Sequence, residues 1–191
     1  MKEKEIHINN ALHLEKNGTH LMINHGGKKK SAVLLITDPS ANNRDFSNNI
    51  RVMHLSAQKH LSIRKYILID EDNPVSVGPF FIKMDPLSLD AHSASFNVMI
   101  NSRCYFLSRF PADAYFAAGC SVILFYARIK PCRNTQTAFI DFIKKSGISR
   151  LVISGPFTEE YRSFLSGIVK LRCLSITKQH KFEFPEKGFS G

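Results

Sequence analysis

Residues 119–155, GCSVILFYARIKPCRNTQTAFIDFIKKSGISRLVISG, decide how the rest of the chain is read. Residues 121–126 are a short, unbroken apolar run of strand type. Pro131 stands where its fixed φ suits the first turn of a helix. Ala138, Phe139, Phe142 and Ile143 then recur at the spacing of one helical face. Ser146-Gly147 stops that helix, with Gly147 able to adopt the left-handed cap. Residues 148–154 form a second apolar run. Strand, helix and strand in about 35 residues predict a βαβ unit with a parallel, right-handed crossover.

Working outward, residues 1–37 read as strands and turns. Residues 19–24 and 32–37 predict two strands joined by a Gly26-Gly27 turn, as a hairpin. Lys28, Lys29 and Lys30 follow that turn without the glycine and Ser/Thr spacing of a phosphate-binding loop. Asp38-Pro39-Ser40 breaks the chain. A helix is expected over 45–60, with Ile50, Met53, His54, Ala57 and Leu61 on one face. Residues 65–70 and 75–83 predict a second hairpin, with Pro79 marking an edge or a bulge. Asp90 is an N-cap candidate for a short helix over 91–101, and 102–119 reads as a Phe- and Tyr-rich link. After the central unit, Thr158-Glu159-Glu160 opens a helix carrying Tyr161, Phe164 and Leu165. Residues 170–178 predict a last strand. No internal repeat is visible.

The order from residue 45 is helix, strand, strand, helix, strand, helix, strand, helix, strand. With Pro131-Cys132 at a helix start and Gly147-Ile148 opening the next strand, it resembles the cytidine and deoxycytidylate deaminase superfamily over residues 45–178. The resemblance implies an α/β fold, a three-layer α/β/α sandwich around a five-stranded mixed sheet. Residues 1–44 become a strand-rich extension packed on this domain, and 179–191 a flexible tail. The resemblance also implies a zinc site made by a His-x-Glu helix and a Pro-Cys-x-x-Cys helix start. Here His92 matches the histidine and Cys132 the first cysteine. Thr135 stands at the second cysteine, and Ala94 at the proton-shuttling glutamate. Two of three metal ligands remain, and no catalytic residue is intact. His92 and Cys132 are then vestigial metal ligands, and His92, Cys132, Arg133 and Thr135 a ligand-binding set. No cofactor is expected, and zinc only if another residue rebuilds the site; Cys104 and Cys120 are the cysteines to consider.

Composition bounds the partners. Lysine and arginine outnumber acidic residues 26 to 16, a formal charge of +10. Nucleic acid, nucleotides or acidic proteins suit such a surface. No apolar run approaches the roughly 20 residues needed to span a bilayer. Residues 1–10 lack a signal-peptide core. Four scattered cysteines argue against a disulfide scaffold. Cytoplasmic residence is the simplest reading, with no membrane partner.

The functional expectation is a catalytically inactive deaminase-fold protein. It would act as a nucleotide- or nucleic-acid-binding or partner subunit, in a homo- or hetero-oligomer with another deaminase-fold chain. This is similar to the non-catalytic partner of the heterodimeric tRNA adenosine deaminase. Arg133, beside the former metal site at a helix N-terminus, would hold a phosphate or acidic group. The alternative is a divergent zinc-dependent cytidine, deoxycytidylate or nucleic-acid deaminase; a further one is an unrelated α/β interaction protein. A Cys132–His92 nucleophilic pair with Asp90 as orienting residue is the remaining enzymatic option.

Overall fold

The computed structural model describes residues 6–9, 11–24, 32–40, 50–61, 65–148, 150–166, 172–175 and 181–182. Its strands sort into two mixed sheets. The first holds β1 (Ile6–Asn9), β2 (Ala11–Lys16), β3 (Thr19–Ile23), β4 (Ala32–Ile36), β5 (Ile50–Met53) and β6 (Ile67–Leu68) side by side in chain order. The second runs in reverse order from β13 (Arg172–Ser175) through β12 (Arg150–Ser154), β11 (Val122–Tyr126), β10 (Cys104–Leu107), β9 (Val98–Ile100) and β8 (Phe80–Met84) to β7 (Val75–Val77). A short β14 (Lys181–Phe182) pairs with β1. Both sheets follow one plan, an antiparallel meander continued by parallel strands. The change comes between β3 and β4 in the first and between β10 and β11 in the second.

The period of two along each strand builds the core. Leu21, Ile23, Val33 and Leu35 of the first sheet meet Ile82, Val98, Phe106 and Leu124 of the second in one buried cluster. The alternate residues of the second sheet, Tyr105, Leu107, Ile123, Phe125, Leu151 and Ile153, point the other way. There they pack under α2 (Arg133–Ser146) and α3 (Thr158–Leu165), which bring Phe139, Phe142, Ile143, Tyr161 and Leu165. A smaller cluster lies behind the first sheet, where Met22, Leu34, Ile36 and Met53 pack with Ala57 and Ala94. The molecule is therefore two sheets face to face with elements on the outer sides. The single five-stranded sheet implied by the deaminase resemblance, a three-layer sandwich, is overturned.

The βαβ unit stands. β11 and β12 are parallel neighbours with Leu124 opposite Val152. α2 starts after Cys132 and ends at Gly147, whose φ of 65° is the left-handed cap, with Lys144 and Lys145 in its last turn. Strands buried on both faces read as continuous apolar runs, which is why 121–126 was legible.

Other expectations fail for identifiable reasons. The strands of 19–24 and 32–37 are parallel, not a hairpin. The helix over 45–60 is replaced, within the described residues, by β5 and a 3-10 turn at Leu55–Lys59. Val52 and Met53 are both fully buried, one toward each face of the first sheet, and a one-faced helix could not do this. The hairpin of 65–70 with 75–83 does not form. Ile67–Leu68 joins β5 in the first sheet, while the chain turns at Gly78-Pro79 so that Val75–Val77 pairs with Phe80–Met84 in the second. The helix over 91–101 reduces to a turn, because Asp90 bridges back to Ser95 and Ala94 takes a φ of 53°. Its expected C-terminal half is β9. The link over 102–119 contains β10 and a short α1 (Ala114–Ala117) capped by Asp113.

Candidate functional site

A cavity of about 470 Å³ opens where several strands end. β4 delivers Asp38 and Ser40, β10 delivers Ser108, Arg109 and Phe110, and β11 delivers Tyr126, Arg128 and Ile129. The loop between β8 and β9 adds Asp90, Ser93 and Ser95, and the first turn of α2 adds Thr135. Carboxyl ends of parallel strands are where open α/β sheets place ligands, because the turns there carry polar groups past the core.

Two asparagines fix this rim. The Asn24 side-chain oxygen accepts from the backbone N–H of Thr37 (2.8 Å) and Asp38 (2.9 Å), and its amide donates to the Thr37 hydroxyl (2.7 Å). Asn97, fully buried, does the same after β10. Its oxygen accepts from the N–H of Ser108 (2.9 Å) and Arg109 (3.3 Å), and its amide donates to the Arg109 carbonyl (3.0 Å). Each clamp sets one charged residue at the cavity. Beyond β12, Gly155 takes a φ of 105°, and a Cβ there would lie 2.8 Å from the Ala127 carbonyl oxygen. The Ala127 N–H donates to the Ser154 carbonyl (2.7 Å) across that close approach.

The charges are paired. Arg109 meets Asp90 at 3.0 Å and donates to Ser93 Oγ (3.3 Å), the Ser95 carbonyl (3.4 Å) and Ser95 Oγ. Its Nε is buried and has no hydrogen-bond partner among the described residues. Asp90 is held well below the usual carboxylate range, first by the Ser93 hydroxyl and then by Arg109. Arg128 pairs with Asp38 and donates to Ser40 Oγ (3.0 Å), a bond between residues of the two sheet systems. Arg128 remains 44% exposed, so part of its guanidinium fork faces solvent.

The cavity is also bordered by Phe110, Phe125, Tyr126, Tyr161 and Ile129. Tyr161 packs against Phe125 (ring centroids 4.6 Å apart), Phe139 (5.6 Å) and Phe164 (5.4 Å). Only 2% of it is exposed, and its hydroxyl has no hydrogen-bond partner among the described residues. Burial, and then the neighbouring Cys132 charge, raises its pKa.

Of the residues singled out from the sequence, Thr135 borders this cavity. Cys132 is the exposed N-cap of α2, with Sγ 3.1 Å from Thr135 Oγ1. That hydroxyl and the backbone N–H groups of the first turn lower its pKa. Arg133 is exposed at the first position of α2, and His92 is exposed in the turn that Asp90 caps. Cys104 and Cys120 are buried thiols, and desolvation pushes Cys120 up to about 11. Sequence reasoning missed Asp38, Arg109 and Arg128. The available signal was position, since each is a charged residue one to two places past an apolar strand.

No family model matches the sequence, and no curated protein matches it. The fold does match solved structures. A diphosphatase from the PhnP family has a TM-score of 0.69 at 9% identity, over 91% of this chain and 83% of that one. The metallo-β-lactamase fold protein YhfI from Bacillus subtilis has a TM-score of 0.70 at 10% identity, over 91% of each chain. A possible metal-dependent hydrolase from Veillonella parvula has a TM-score of 0.67 at 10% identity, over 96% of this chain and all of that one.

The structure described as a possible metal-dependent hydrolase raises the question of a metal here. The residues at the cavity do not fit one. Among the described residues no group of three His, Cys, Asp or Glu side chains is placed to hold an ion. The two cavity carboxylates already neutralise arginines, and a cation beside two guanidinium groups would be repelled. Among the described residues, neither histidine nor cysteine borders the cavity. Among the described residues no helix is long and apolar enough to cross a membrane. The deaminase resemblance, and with it both the inactive-deaminase and active-deaminase readings, is overturned by these structural matches and by the paired sheets: this chain has the metallo-β-lactamase fold.

Proposed function

We propose that the chain binds a small oxyanion, a phosphate or carboxylate, in the cavity between Arg109 and Arg128, without a metal ion. One observation carries the reading: two guanidinium groups and the serines 40, 93, 95 and 108 converge on a cavity whose donors do not suit a cation. Guanidinium forks match planar or tetrahedral oxyanions bidentately, and hydroxyl groups add donors. The ion pairs keep both arginines extended toward the cavity before the ligand arrives, which lowers the ordering cost of binding. An excess of ten positive charges favours an anionic partner. The diphosphatase among the similar structures supports an oxyanion of the phosphate type.

Isothermal titration with inorganic phosphate and with pyrophosphate, in the presence of a chelator, tests this. Saturable binding is expected, weakened about tenfold or more in Arg128→Ala, since hydrogen bonds to charged groups are worth about 1.5–3 kcal/mol. Binding that vanishes with the chelator, or that survives Arg128→Ala unchanged, overturns it.

A further inference from the structure

The cavity is larger than a lone oxyanion requires. Its 470 Å³ falls among small-molecule pockets of roughly 300–1,000 Å³. The space not claimed by the arginines and serines is bordered by aromatic and apolar side chains. Phe110 stands edge-on to Phe139 and Phe142, with centroids 5.8 and 5.9 Å away and planes at 79° to both. Two buried neighbours thus fix it while it stays half-buried at the cavity. Ile129 borders the cavity and is 68% exposed, an apolar side chain left in water one residue past Arg128. Tyr161 also borders the cavity, and its hydroxyl makes no hydrogen bond to the described residues, which leaves it able to bond to a ligand.

We propose that the ligand is an aromatic oxyanion, a planar ring carrying a phosphate or carboxylate. The charged group meets Arg109 and Arg128. The ring covers Phe110 and Ile129, and a polar atom of the ligand satisfies the Tyr161 hydroxyl. Aromatic rings prefer offset or edge contacts with other rings, and Phe110 is a fixed surface for one. This rests on the anion-binding reading above.

The test is a titration of wild type with inorganic phosphate, methyl phosphate, phenyl phosphate and benzoate. Phenyl phosphate should bind about tenfold or more tighter than methyl phosphate, from burial of the ring. Ile129→Ser, a surface change, should narrow that ratio by about threefold. Tyr161→Phe should weaken phenyl phosphate by about threefold to tenfold, with thermal unfolding of both variants measured alongside to exclude a loss of fold. Equal binding of methyl and phenyl phosphate overturns this inference and leaves the anion-binding reading intact. A ratio unmoved by Ile129→Ser, in a variant as stable as wild type, also overturns it. If none of the four binds, both fall.

Discussion

Asp85 and Asp90 lie at the two ends of one loop and meet opposite surroundings. Asp85 is fully buried at the end of β8. Its carboxylate accepts the Tyr105 hydroxyl and the backbone N–H groups of Leu87 (3.0 Å) and Asp113 (3.0 Å). It so ties β8 to β10 and to the start of α1. Desolvation still raises its pKa, against the pull of those donors. Asp90, at the cavity, is held charged by Ser93 and Arg109. The difference shows what burial does to an acid. A buried carboxylate is a structural node because three donors converge on it, and nothing else can reach it. A carboxylate at a cavity keeps its charge through a hydroxyl and an arginine, and that arginine is open to a competing anion.

The largest expected effect is at the node. Asp85→Ala strips the acceptor from a buried hydroxyl and two backbone N–H groups, and should cost roughly 3 kcal/mol or more of unfolding free energy in urea. Asp90→Ala should shift the midpoint far less. Equal losses would erase the contrast. Next comes the pH dependence. Asp85 has a folded pKa above its unfolded value near 4, so its contribution is present below that value and lost as pH rises through the folded pKa. Asp90 has a folded pKa below its unfolded value, so its contribution is present above about 4 and lost as pH falls. In melts from pH 3 to 7, the stability gap between wild type and Asp85→Asn should shrink as pH rises. The gap between wild type and Asp90→Asn should grow. Gaps of the same slope would mean that the two acids are not distinguished by their surroundings. The smallest effect is at the helix start beside the cavity. Iodoacetamide should alkylate Cys132 with a midpoint below the ordinary thiol range, and Thr135→Val should move that midpoint up. An unchanged midpoint would remove Thr135 as the cause.

The sequence made the central βαβ unit legible because β11 and β12 are buried on both faces and α2 has a one-sided apolar stripe. It misled where local pattern and long-range pairing disagree. Ile50 and Met53 suit a helical face, yet β4 and β6 flank their run and make it a strand. Ile67–Leu68 and Val75–Val77 look like hairpin partners, but they belong to different sheets. Nothing local to either run encodes that separation. Pro131-Cys132 pointed to a helix start, which is present. It could not tell one fold with that helix from another. Arg109 and Arg128 had no motif. They become a pair only because Asn97 and the β11 exit bring strand ends from distant positions to one cavity.

Gly155 gives the molecule a weak point of another kind. In a saturation library, every substitution there should be depleted, alanine included, because the methyl group would meet the Ala127 backbone at 2.8 Å and φ is 105°. Pro156, its neighbour, is exposed. Among sequences that agree at only 9–10% of positions, an obligatory glycine of this kind is a more useful marker to look for than any apolar run. Apolar runs slide along one another in an alignment, whereas an obligatory glycine fixes the register of β12 against β11.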